Sequence, residues 1–118
     1  MIAKGDALER MSAMIGTGIR QKFEDDLIRF SYESVKAWPD AYDNMMPYTY
    51  ATMVVAGRVD GQPDMVHYAV DHARTLMNTN FTQDGWWKEG SPDYHNQVVT
   101  SMTDLDTAVK DYTDPPEW

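Results

Sequence analysis

A chain of 118 residues, 42% hydrophobic and 25% charged, has room for one modest domain and is too apolar to stay disordered. Its 19 acidic and 10 basic residues leave a formal charge of -9, a field that opposes phosphate backbones and anionic lipid and so argues against nucleic acid or a membrane as partner. Cysteine is absent, which removes disulfides and thiolate chemistry, and no apolar run reaches the ~18 residues of a membrane-spanning helix.

The opening Met1-Ile2-Ala3-Lys4-Gly5-Asp6 lacks the apolar stretch of a secretory signal, so none is expected. Asp6 followed by Glu9 has the pattern of a capping box. Leu8, Met11, Ile15, Ile19, Phe23, Leu27 and Phe30 then recur every three or four residues, the period of a helix with one buried stripe. Gly16 and Gly18 are poor helix formers inside that run, and close approach of a neighbouring helix is the expected reason for them. Pro39 constrains the residue before it, which ends this helix near Ala37.

Residues 38–46 read as a turn. Pro47 suits the first turn of a second helix, with Tyr50 or Ala51, Val54 and Val55 on its apolar side; residues 53–59 taken alone also pass for a short strand. Asp60-Gly61-Gln62-Pro63 breaks the pattern, and Pro63 opens a third helix. Val66, Ala69, Val70, Ala73, Leu76 and Met77 carry its stripe until Asn78 and Asn80 end it. After a loop at residues 79–91, Ser91-Pro92 supplies the cap and first turn of a fourth helix. Val98, Met102, Leu105, Val109 and Tyr112 mark that helix, and Asp114-Pro115-Pro116 stops it. The expected fold is all-α, a single helical segment over residues 1–118 built of stacked helical hairpins.

The chemistry concentrates between Phe81 and Gln97. Asp84-Gly85 predicts a tight turn that throws Trp86 and Trp87 out together, or, because adjacent residues rarely share a direction, turns one ring inward and the other to solvent; on the motif alone, burial of both rings is the favoured reading. An exposed indole is a platform for a sugar face; a buried pair would simply cover the helix ends. Tyr94 and His95 fall in the first turn of the fourth helix, where free N–H groups attract a carboxylate and favour neutral imidazole. His95 can serve there as a base, and Tyr94 can exchange a proton with a sugar oxygen, although its spacing to Val98 also fits the apolar stripe. Asn96 and Gln97 add amides able to hold a carboxylate or hydroxyl. Asp84 and Glu89 are carboxylates of the kind that hydrolyse glycosides in pairs, and equally of the kind that stay solvated in loops. His67 and Asp71 share a helix face while His72 projects elsewhere, which falls short of a zinc ligand set. Gly16-Thr17-Gly18 lies within a helical pattern, not in a phosphate loop, so neither metal nor cofactor is expected.

The string Asp84-Gly85-Trp86-Trp87-Lys88-Glu89-Gly90-Ser91-Pro92-Asp93-Tyr94-His95 resembles a segment of heparinase II/III-like and alginate-type polysaccharide lyases. The resemblance implies an α/α toroid, of which this chain would be an incomplete part, and β-elimination on a uronic-acid polysaccharide. In that chemistry an amide or protonated group neutralises the uronate carboxylate, a histidine or tyrosine removes the C5 proton, and a tyrosine protonates the leaving oxygen. Tyr94 and His95 then stand as the catalytic candidates. Trp86, Trp87, Glu89, Asn96 and Gln97 stand as substrate contacts, with Glu89 in an orienting or structural role. The implied partners are an acidic polysaccharide or oligosaccharide and the remainder of a toroid or a second chain, in a secreted or periplasmic setting. The cations facing a polyanion would be Arg20, Lys22, Arg29, Lys36, Arg58, Arg74 and Lys88, or those of the rest of the protein. Two other readings stay open: a non-catalytic helical carbohydrate-binding or assembly module using the tryptophans, and an α/α-toroid glycoside hydrolase using Asp84 or Glu89.

Overall fold

The computed structural model describes residues 14–38 and 42–118. The capping box at Asp6 and Glu9, the stripe positions Leu8 and Met11, and Pro39 lie outside the described residues. Helix α1 is a continuous rod over residues 17–36, made of an α-helical piece Thr17–Phe23, a π-helical stretch Glu24–Arg29 and a second α-helical piece Phe30–Lys36. Helices α2 (Met46–Asp60), α3 (Pro63–Asn80) and α4 (Pro92–Val109) follow. Among the described residues the fold is all-α, with a lone antiparallel bridge between Phe81 and Trp87 and no strand. Residues 53–59 belong to α2.

The sequence pattern gives α2 one apolar side; the structure buries it nearly all round. Tyr50, Ala51, Met53, Val54 and Ala56 are all sealed, because α2 packs against α3 and α4 at once and so has few positions left for water. Close approach to α3 is permitted by Gly57. A Cβ there would lie 2.9 Å from the Gln62 carbonyl oxygen and 3.0 Å from both Met65 Cβ and Val66 Cγ2. Gly16 and Gly18 have nothing within 4 Å among the described residues, so none of the described helices makes the close approach expected of them. Gly61, at φ 63, turns the chain in the left-handed region, and the Gln62 N–H closes the end of α2 on the Gly57 carbonyl at 2.8 Å.

In α1 the buried stripe differs from the one the sequence period predicts. A π-helical turn holds more residues than an α-turn, so positions beyond it fall out of phase with a 3.6-residue repeat. Ile28 and Tyr32 become the sealed positions, with Phe23 and Val35 packed beside them. Leu27 faces outward and Phe30 is 67% exposed. Contacts with α3 fix this phase. The Tyr32 hydroxyl donates to the Asp64 carbonyl at 3.4 Å, its ring meets Tyr68 edge-on at 5.7 Å, and Arg29 bridges to Asp64 at 2.9 Å. Burial is the main reason the Tyr32 phenol is pushed up to about 12.

Where α1 crosses the end of α2, the Asp60 carboxyl is raised to about 6, first by burial and then by the neighbouring Glu24 carboxylate, which itself pairs with Arg20 at 2.5 Å. The native state therefore holds this proton more tightly than the unfolded chain does. The resulting stabilisation is full below the ordinary value of 3.8 and is lost as pH rises through about 6. Asp60→Asn is accordingly expected to stabilise the fold at pH 7 by about 1 kcal/mol after allowance for solvent screening, and to give no advantage below pH 4. Urea denaturation at a series of pH values checks this. A gap that does not widen between pH 4 and 7 would count against the Asp60–Glu24 repulsion.

Helix α4 ends at Val109, short of Tyr112 and of the predicted stop at Asp114. The Arg58 guanidinium reaches across from α2 and donates to the carbonyls of Ala108 and Lys110, satisfying groups that a continued helix would otherwise pair. The tail then returns to α3. There Asp114 meets His67 Nε2 at 2.8 Å and Trp118 stacks on the same imidazole at 5.7 Å.

Candidate functional site

The loop after α3 is tied at nearly every residue. The Asn80 side-chain amide donates to the Tyr42 carbonyl at 2.6 Å, and the Asn80 carbonyl accepts from Lys88 N–H at 3.0 Å. Thr82 N–H donates to the Trp86 carbonyl at 2.8 Å, while the Thr82 hydroxyl accepts from Trp86 N–H at 3.0 Å. The same hydroxyl donates to Asp84 at 2.5 Å and holds that carboxyl below its usual range. Gly85 (φ 80) and Gly90 (φ 69) occupy the left-handed conformations that these two turns require. Ser91 then accepts a long bond, 3.5 Å, from the Tyr94 N–H and starts α4, with Pro92 in its first turn.

This framework separates the two tryptophans. Trp87 is 0% exposed, edge-on to Phe81 at 5.5 Å, with its indole N–H donated to Glu89 at 2.6 Å. The assignment of Trp87 as a sugar contact is corrected: a sealed ring presents no face to a ligand. Glu89 is the acceptor that lets the indole be buried, which places it in the structural half of its expected role. Trp86 is 39% exposed and lies flat on His95, ring centroids 4.2 Å apart and planes within 7°.

His95 is held on three sides. Trp86 stacks on it, Phe81 approaches edge-on at 6.3 Å, and its Nδ1 accepts the Trp87 backbone N–H at 3.3 Å. An Nδ1 that accepts carries no proton, so in the neutral ring the proton sits on Nε2. His95 is thereby shaped as a hydrogen-bond donor through Nε2; acting as a base there would require the other tautomer and loss of the Trp87 bond. Tyr94 is 47% exposed and stands clear of the apolar stripe. Asn96 is exposed, and Gln97 turns to the chain before α2, accepting from Asn44 Nδ2 at 3.1 Å and donating to Met45 Sδ at 3.2 Å. The structure therefore brings Trp86 and His95 together, with Tyr94 next to His95 in the first turn of α4. It directs Gln97 to a different neighbour and takes Trp87 and Glu89 into the framework.

All seven cations that might face a polyanion are engaged within the chain. Arg20 pairs with Glu24, Lys22 with Asp26, Arg29 with Asp64, Lys36 with Glu33 and Arg74 with Asp71. Arg58 caps α4, and Lys88 donates to the Tyr42 carbonyl at 3.1 Å. Two features lie outside the residues that the motifs single out. Tyr42, Tyr50, Tyr68 and His72 form an aromatic cluster in which the His72 and Tyr68 rings stack at 3.8 Å and His72 Nδ1 meets the Tyr68 carbonyl at 2.8 Å. The i,i+4 spacing of Tyr68 and His72 is the only sequence signal for it. An apolar groove of about 600 Å³ runs between α3 and α4, lined by Val70, Met77, Phe81, Val99 and Met102 among others. Among the described residues no group of three or more His, Asp or Glu side chains converges as a metal site would require. Comparison with protein-family models, with curated proteins and with solved structures finds no match to this chain.

Proposed function

We propose that the chain is a glycan-contacting part of a polysaccharide lyase that acts by β-elimination, with the rest of an α/α toroid completing its catalytic groups. The observation that carries this reading is the rigid Trp86–His95 plate beside exposed Tyr94 at the capped start of α4. A ring stacked on Trp86 would place a uronate near both neighbours. The His95 Nε2–H then donates to the carboxylate, which makes the C5 proton removable by a base from elsewhere in the assembly. As that proton leaves, its bonding pair becomes the C4–C5 double bond, and the C4–O bond breaks toward oxygen. The Tyr94 hydroxyl protonates the departing oxygen. The apolar α3–α4 groove supports a larger assembly, since a further helical hairpin would cover it.

The test uses the intact protein with uronate-rich polysaccharides, following the ultraviolet absorbance of the unsaturated uronate. Tyr94→Phe is expected to cut that rate by about 10²–10⁴-fold with glycan binding retained. Trp86→Ala is expected to weaken binding about tenfold with helicity unchanged. No absorbing product from any uronate glycan would overturn the lyase reading.

A second reading, a non-catalytic helical carbohydrate-binding module, is favoured by the engagement of every candidate cation. Such a surface offers little to a polyanion. Saturable glycan binding at Trp86 with no absorbing product would select it. A hydrolase built on Asp84 has less support: the Thr82 hydroxyl favours an ionised Asp84, which suits a base or nucleophile, but Glu89 is taken up by the Trp87 indole and leaves it without a partner acid in the loop.

A further inference from the structure

A second hollow, of about 470 Å³, opens between the start of α2 and the flank of α4. Its walls are Met45 and Tyr48 on one side and Asn96, Gln97, Thr100, Ser101 and Asp104 on the other. We propose that this hollow is a subsite for an uncharged, hydroxyl-rich sugar ring, a unit of the glycan other than the one held at Trp86. It rests on the glycan reading above and adds to it the class of sugar accepted here.

Three observations carry the proposal. The first is the state of the hydroxyls. Elsewhere on α4, Thr103 and Thr107 turn their hydroxyls back to helix carbonyls at 2.9 Å, as Ser and Thr usually do within helices. Thr100 and Ser101 make no such bond among the described residues, although Ser101 is only 7% exposed, and both line the hollow. Among the described residues no buried side-chain polar atom lacks a partner, so these two hydroxyls open onto the hollow, unspent on the helix and available to a ligand. The second is pre-organisation. Asn44 and Met45 fix the Gln97 amide, so its second N–H and remaining lone pair meet a ligand without further ordering. The third is the balance of ring and charge. Tyr48, 50% exposed, offers a ring face for the apolar side of a pyranose. The sole charged side chain in the lining is Asp104, and no cation joins it. That carboxylate accepts sugar hydroxyls but repels a uronate. Asn96 follows His95 directly, so at about 100° per residue the hollow and the Trp86–His95 plate open on different flanks of the start of α4.

The experiment is an amide NMR titration of the full chain with two neutral probes, cellotetraose and maltotetraose, and with an oligouronate of the same length. A neutral probe is expected to shift the amides of Tyr48, Asn96, Thr100 and Ser101, while the oligouronate leaves them still. Tyr48→Ala is expected to weaken neutral binding about tenfold, and Thr100→Val to weaken it without altering the far-ultraviolet circular dichroism. Asp104→Lys is expected to admit the oligouronate to the hollow. Silence of these amides toward both neutral probes, or equal response to oligouronate in the unsubstituted chain, overturns the subsite. Oligouronate shifts at Trp86 and Tyr94 with a silent hollow would remove this inference and leave the lyase reading standing. Silence at both surfaces removes both.

Discussion

Trp87→Ala is expected to lower the unfolding free energy by about 3–5 kcal/mol, the range for deleting a large sealed aromatic side chain. The indole is the largest of the fully buried side chains, and it joins three parts of the molecule. Its ring packs edge-on against Phe81 at the end of α3, its backbone N–H reaches His95 in α4, and its indole N–H holds Glu89. Alanine leaves a void among elements that the loop ties keep from closing on it. Trp87→Phe keeps a ring but loses the donor to Glu89; since Glu89 is exposed, water can satisfy the carboxylate and the cost should fall to about 1–2 kcal/mol. Trp86→Ala, removing a half-exposed ring, should cost less than either. Urea denaturation followed by far-ultraviolet circular dichroism ranks the three. Equal losses for Trp86→Ala and Trp87→Ala would contradict the division of labour between the two rings.

Gly57→Ala is expected to cost about 1–3 kcal/mol even though alanine is the better helix former by about 1 kcal/mol. The added methyl meets a backbone oxygen at 2.9 Å, and a carbonyl in the α2–α3 turn cannot swing aside as a side-chain tip can. Gly18→Ala runs the other way. It sits in the first turn of α1 with nothing within 4 Å among the described residues, so a part of the helix-interior gain should appear, at up to about 0.5 kcal/mol of added stability. Thermal melts of the two variants settle both signs at once.

These glycines show what the sequence made legible and what it did not. A glycine in a helical run signals either tolerance or close approach, and only the path of the neighbouring chain tells which; Gly57 and Gly18 read alike until α3 is in place. Helix starts were more legible, because a cap is local chemistry. Pro47, Pro63 and Ser91-Pro92 each mark the turn they begin. The end of α4 was hidden because Arg58, some fifty positions earlier in the chain, supplies its cap. In the site, adjacency left it open whether Trp86 and Trp87 face out together, part company or are both buried; Phe81 and Glu89 seal Trp87, and Trp86 is left on His95. The tautomer of His95 depends on the Trp87 backbone, a partner that no spacing rule reveals.

The π-helical stretch in α1 has a consequence for how one sequence can show two faces. An unbroken α-helix through Glu24–Arg29 would carry Phe23 forward to Leu27 and Phe30 on the inner side; the wider turn carries it to Ile28 and Tyr32. Both sets are apolar, so α1 is written in two registers and its bond to α3 selects one. Removing a single residue from that stretch would let it rewind as α-helix with Ile28 four places and Tyr32 eight places after Phe23, so the inner face would be kept; rewinding with no residue removed would instead swing everything beyond it by about 100°.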